Sequence, residues 1–267
     1  MVYLFNLFPG IVGLLSGWAS GLGQPASVAA TVGALVLTAA VGYLLGSLNA
    51  AIIVSKTLFK QDIRQFGSGN AGLTNMHRVY GKKGALLTLA GDFLKQFAAI
   101  FIGMILTGQT GAYLAGLFCM IGHIFPVYYR FKGGKGVLTA ATMILLLDPA
   151  IFLVLFIIFA VVLLFTRYVS LASVICAFIY PAVVYYESKL VTGSNPPMTL
   201  MLFALFVGVI IIFMHRSNIF RIFNNEENKF SFRSKPDAQK IFDAEDKEND
   251  KQNEYIPNIA KKKKKKK

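Results

Sequence analysis

The apolar positions of this chain gather in long unbroken runs and do not alternate with polar ones. Residues 1–55 contain no Asp, Glu, Lys or Arg, and further uncharged runs cover 96–129, 136–147, 149–166, 168–186 and 190–214. A helix needs roughly 20 apolar residues to cross a hydrocarbon core of ~30 Å. The pattern predicts an all-α, polytopic integral membrane protein with about seven transmembrane helices, some of them short. The expected spans are 28–57, 84–107, 111–129, 137–147, 150–165, 169–187 and 198–214. The run 137–165 is too long for one comfortable crossing. Pro149 lacks an amide donor and disfavours helix at the residue before it, so the run is divided at Asp148. A re-entrant pair would give the same sidedness.

Charge orients these spans. Basic residues cluster in the loop 58–83, in "RFKGGKG" and in "HRSNIFR", whereas "TGQTG", "LDPA" and "ESKLVTGSNPPM" together hold one lysine. The positive-inside rule puts the three basic segments in the cytoplasm and the protein in the cell membrane. The net charge of +14 does not imply nucleic acid, because seven of its lysines are the terminal run and most others flank apolar segments. Three regions follow. Residues 1–26 form an apolar extension without the charged start of a secretory signal, expected at the outer interface. Residues 27–223 form the transmembrane domain. Residues 224–267 are mixed in charge and poor in apolar side chains, and are expected to be a disordered cytoplasmic tail. Cys119 and Cys176 sit in apolar runs without metal-ligand or disulfide spacing, which suits packing. No metal or cofactor is expected, and the protein is expected to work as a monomer among membrane lipids.

Candidate chemistry lies in the polar segments. "GSGNAG" at 67–72 spells a dinucleotide fingerprint, but no strand precedes it. Its glycines, including Gly67 and Gly69, still let backbone amides converge on a phosphate. Ser68, Asn70, Thr74 and Asn75 add neutral donors, and Arg64 and Arg78 bracket the loop. "FKGGKG" at 131–136 places Lys132 and Lys135 around Gly133 and Gly134, just after His123 and Pro126. "HRSNIFR" supplies His215, Arg216, Asn218 and Arg221, with His215 and Asn218 on one helical face. Asp92 and Lys95, also three apart within a span, are expected to form a structural ion pair. Gly42 and Gly46 form a GxxxG for helix packing. The three polar clusters share one side, bring cations and few carboxylates, and suit an anionic phosphorylated ligand whose other end is a lipid.

These residues carry a family resemblance. From about Tyr43 to Phe230 the chain resembles the bacterial acyl-phosphate:glycerol-3-phosphate acyltransferases, the PlsY family, in "GSLNAAIIVSK", "DIRQFGSGNAGLTNMHRVYGKKG", "DFLK", "GHIFPVYYRFKGGKGV", "RYVSLASV" and "HRSNIFRI". Met214 and Ser217 stand where relatives usually carry arginine and glutamate, and "GLTN" replaces "GATN". The resemblance implies a seven-helix enzyme of phospholipid biosynthesis. It would transfer an acyl chain from acyl-phosphate to the 1-hydroxyl of glycerol 3-phosphate, giving lysophosphatidate. Ser68, the loop amides, Lys132 and Lys135 would then hold the acyl-phosphate, and Arg78, His215 and Asn218 the glycerol phosphate. A substrate phosphate oxygen, His215 as base, or Ser68 as covalent nucleophile are the three routes for the hydroxyl. A transporter for an anionic phosphate ester and a lysine-tailed membrane scaffold are the rival functions.

Overall fold

The structure is a computed structural model that describes Gly10, Ile11 and residues 24–231. The expectations for the rest of the N-terminal extension and for 232–267 lie outside the described residues. Those described form helices and two 3-10 turns, with no strand among them. Four stretches are long and apolar enough to cross a membrane: Val28–Leu58, Leu73–Tyr129, Pro149–Thr166 and Val169–Thr192, with Met198–Met214 and Arg216–Phe223 as a bent fifth.

The first expected span, 28–57, is not one helix. Helix α1 (Gln24–Ser47) stops, and α2 (Ala50–Leu58) starts afresh with Asn49 as its N-cap, Oδ1 accepting from the Ile52 amide at 3.1 Å. A helix end leaves carbonyls without intrahelical partners. Here the Lys95 ammonium donates to the Gly46 and Leu48 carbonyls, each at 3.0 Å. A break inside an apolar run is thus sustained by a cation from another helix.

Helix α3 (Leu73–Ile124) is a single stretch only by name. Gly81 (φ 69°) kinks it, and Thr107 with Gly108 (φ 66°) folds it into a hairpin. A Cβ on Gly103 would lie 2.2 Å from the Gly111 carbonyl oxygen, so glycine is what lets the arms close. The arms correspond to the expected spans 84–107 and 111–129, with the expected turn "TGQTG" drawn largely into helix. Helix α1 packs along the second arm. A Cβ on Gly42 or Gly46 would meet the carbonyl oxygens of Ala115 and Cys119 at 2.6 and 2.0 Å, the close backbone approach that small residues permit.

Helices α4 (Val137–Leu147) and α5 (Pro149–Thr166) divide where expected. Asp148 Oδ1 caps α5 by accepting from the Ile151 amide, and Pro149 occupies the first turn, where its missing N–H costs nothing. At 11 residues α4 is about 16 Å long, half of a hydrocarbon core. Helices α6 (Val169–Thr192) and α7 (Met198–Met214) complete the bundle, and α8 (Arg216–Phe223) turns off α7 by 55°. The main core gathers Ile100, Met120, Met143, Val184 and Val207, and a smaller one of Ile52, Ile63 and Met76 underlies the loop after α2.

Packing this tight gives a direct stability test. Gly46→Leu should lower the thermal unfolding midpoint in detergent, since overpacking costs typically 1–3 kcal/mol or more. Gly33→Leu, at a position with nothing within 4 Å, should leave it close to the parent value.

Candidate functional site

The glycine-rich loop between α2 and α3 is organised from within. Ser55 Oγ accepts from the Ile63 amide, and Asp62 caps the 3-10 turn Ile63–Gln65. Gly67 (φ 60°) and Gly69 (φ 71°) then adopt left-handed backbone. Asn75 is the hub. Its Oδ1 accepts from the Ser68 amide at 2.9 Å, while Nδ2 faces the carbonyls of Phe66 and Asn70 at 3.0 and 3.1 Å. Asn49 Nδ2 donates to the Ala71 carbonyl and anchors the far end.

Arg64 joins this loop to the next one. It is paired with Asp62 at 2.7 Å and donates to the carbonyls of Tyr129 and Lys132. The Arg64 hydrogen bond holds the Asp62 carboxyl down at about 2. The expected substrate contact from Arg64 is therefore replaced by a bridge between loops, because Asp62 and two carbonyls already use its guanidinium.

The second loop doubles back on the end of α3. The amides of Gly133 and Gly134 donate to the carbonyls of Ile124 and His123, at 3.2 and 3.1 Å. A Cβ on Gly133 would fall 2.0 Å from the His123 carbonyl oxygen. Tyr43 donates to the Phe125 carbonyl, and Ser47 Oγ accepts from the Val127 amide, fixing the corner to α1.

The third cluster sits at the joint between α7 and α8. His215 Nδ1 contacts the Ile211 carbonyl at 2.8 Å, so Nδ1 carries the hydrogen and Nε2 is an acceptor. Lys135 donates to Asn218 Oδ1. Asn218, Ser170 and Arg221 all donate to Glu227, at 2.7, 2.7 and 2.8 Å. Burial opposes ionisation of Glu227, but these donors outweigh it and hold the carboxyl below its ordinary range. Burial pushes Lys135 down to about 8, with Arg221 adding repulsion. The boundary of the expected tail moves accordingly. Residues 224–231 are not free: the Phe230 amide donates to the Arg167 carbonyl at 2.7 Å, and its ring lies 5.3 Å from that of His77.

The three clusters meet in one cavity of about 510 Å³. Ser68, Asn70, Thr74, Asn75, Arg78, His123, Lys135, His215 and Asn218 line it. Gly67, Gly69, Lys132, Gly133 and Gly134 do not line it themselves, but belong to the loops whose neighbouring residues do. Arg216 turns away, donating to the Phe213 carbonyl and stacking over the Phe213 ring at 4.6 Å. Asn75 lines the cavity with its amide already spent on the loop. Arg221, named in the third cluster, lines it as well. Asp92, Ser170, Glu227 and Phe230 line it without having been singled out as site residues, Glu227 because it stands in a stretch that reads as solvated tail. Away from this polar end the walls are apolar, with Leu145, Phe152, Phe156, Ala177 and Val207 among them. The cavity can thus hold oxyanions at one end and an alkyl chain at the other.

Comparison with known proteins gives the same picture. Residues 36–225 match the profile of the glycerol-3-phosphate acyltransferase family. The chain is 41% identical over 198 residues to the glycerol-3-phosphate acyltransferase of Finegoldia magna, covering 73% of this chain and 96% of that one. It is 42% identical to glycerol-3-phosphate acyltransferase 2 of Bacillus anthracis, covering 73% and 98%. The crystal structure of PlsY (YgiH), an integral membrane glycerol 3-phosphate acyltransferase, in its glycerol 3-phosphate form, superposes with a TM-score of 0.65 at 34% identity, covering 74% of this chain and 96% of that one. The lysophosphatidic acid form of the same enzyme gives 0.63 at 33%, with the same coverage. With its helical bundle, its cation-bearing cavity and a match over most of its length, the chain belongs to the glycerol-3-phosphate acyltransferase family.

Proposed function

We propose that the donor is an acyl-phosphate and that the chain moves its acyl group to the 1-hydroxyl of glycerol 3-phosphate, giving lysophosphatidate and phosphate in phospholipid biosynthesis. The enzyme works as a monomer in the cell membrane, with the cavity open to the cytoplasm. The observation that carries this reading is the joining, in a single cavity, of a cationic end and an apolar arm. An acyl-phosphate divides the same way, into an oxyanion and an alkyl chain.

The chemistry needs little activation, because a mixed anhydride already has a good leaving group. The glycerol oxygen forms a bond to the acyl carbon as the bond from that carbon to the phosphate oxygen breaks. The hydroxyl proton passes to a phosphate oxygen. Ser68 and its neighbouring amides, with Lys135, hold the acyl-phosphate and stabilise the departing phosphate. Arg78 and Asn218 hold the glycerol phosphate, and positioning supplies much of the rate. His215 Nε2, a free acceptor by its tautomer, suits the hydroxyl and offers a protein route for the proton. Lysophosphatidate formation by purified enzyme, with acyl-phosphate, acyl-CoA and acyl-carrier protein compared as donors, decides the matter. Turnover confined to acyl-phosphate is expected, and equal turnover with a thioester would overturn the donor assignment. His215→Ala should then reduce kcat far more than glycerol phosphate binding if His215 takes the proton, and similarly little in both if phosphate does.

Lys135 gives a pH test. Its depressed value means that the ammonium is lost as pH rises through about 8, so affinity for phosphate should fall on the alkaline side. Bound phosphate favours the charged form and moves that midpoint upward. Lys135→Arg should flatten the alkaline limb. Lys135→Met should cost about 1.5–3 kcal/mol, roughly ten- to a hundredfold in kcat/KM, while the lysine is charged, and progressively less as pH rises past its midpoint.

A further inference from the structure

Asp92, Lys95 and His123 are 1%, 7% and 3% exposed, in the arms of the α3 hairpin. Burying an ion pair is costly even when the partners are in contact. The arrangement of protons shows what it accomplishes. An ammonium has three donors and no acceptor. Lys95 has three hydrogen bonds to match: to the Gly46 carbonyl, to the Leu48 carbonyl and, at 2.9 Å, to His123 Nδ1. Asp92 Oδ1 lies 2.8 Å from the ammonium and 3.5 Å from His123 Nδ1, so the carboxylate sits against both groups and balances the ammonium's charge.

Nδ1 has two neighbours, the Lys95 ammonium at 2.9 Å and Asp92 Oδ1 at 3.5 Å. Lysine cannot accept, so the shorter contact makes Nδ1 the acceptor and leaves the ring hydrogen on Nε2. Nε2 meets no partner among the described residues, and His123 lines the cavity. The space in front of it is kept by Gly134, where a Cβ would lie 2.2 Å from Nε2. His215 is the mirror case, with hydrogen on Nδ1 and a lone pair on Nε2. One imidazole therefore offers the cavity a donor, which suits an oxyanion, and the other an acceptor, which suits a hydroxyl.

We propose that Lys95 is a positioning residue that fixes His123 as an Nε2–H donor to a phosphate oxyanion in the cavity. The proposal rests on the acyl-phosphate reading for the identity of that oxyanion, though the tautomer itself does not depend on it. Nitrogen-15 NMR of histidine-labelled full-length enzyme in detergent tests it first, its three histidines being assigned by single His→Gln variants. Hydrogen on Nε2 of His123 and on Nδ1 of His215 is expected. Hydrogen on Nδ1 of His123 would overturn the proposal while leaving acyl transfer untouched.

A kinetic cycle tests the link to Lys95. Lys95→Met should raise KM for one phosphate substrate about tenfold, more than it lowers kcat. In a His123→Gln background the amide supplies an N–H without help from Lys95. There the same change should add clearly less than it does in the parent, the remainder being its effect on the α1–α2 break. Fully additive effects would mean that Lys95 acts on the fold alone, and the proposal would fail. A rise confined to glycerol 3-phosphate or to acyl-phosphate identifies which oxyanion His123 meets.

Discussion

A single buried ammonium holds the architecture together. Lys95 donates to the two carbonyls at the end of α1 and to a histidine at the end of the α3 hairpin. Without those carbonyl bonds, the interruption between α1 and α2 would expose backbone acceptors to hydrocarbon, at several kcal/mol each. With them, the chain can leave the helix inside an apolar run and begin the loop that carries Ser68. The cost of burying the cation is offset by Asp92 alongside it. The site thus begins where a transmembrane helix is interrupted, and the interruption depends on a charge supplied by another helix.

The two glycine-rich loops are organised in a related way. Each is built around a side chain that faces inward to backbone and leaves the cavity to others. Asn75 gathers the first loop, Arg64 ties it to the second, and the second lies against the end of α3 through Gly133 and Gly134. Of the cations that line the cavity, Lys135 and Arg221 are joined through Asn218 and Glu227, while Arg78 stands beside Asn75.

Much of this was legible in the sequence, and the misses share a cause. Uncharged length located the α3 arms, and Pro149 after Asp148 located the division of 137–165, because both signals are local. The break at Asn49 was not legible, since it lies in an uninterrupted apolar run and its stabilising cation is 46 residues away. Arg64 read as a ligand contact because it flanks a glycine-rich loop, yet Asp62 two residues earlier already claims it. Asn75 read as a donor to substrate, but its amide is consumed by carbonyls that only the folded turn brings near. Glu227 looked like part of a solvated tail by composition, and only the return of the chain to Asn218 and Ser170 gives it a role. Residue types pointed to the segments that line the cavity; which side chains face it depended on hydrogen-bond competition.

The 55° bend at His215 has a mechanical meaning as well. Beyond it, α8 exposes Phe220 and Phe223 while Asn218 is buried at the cavity. A short helix with greasy flanks, turned away from the transmembrane axis, behaves as a float. Laid along a membrane interface, it would hold the cationic rim at headgroup height while the apolar arm stays immersed in oil.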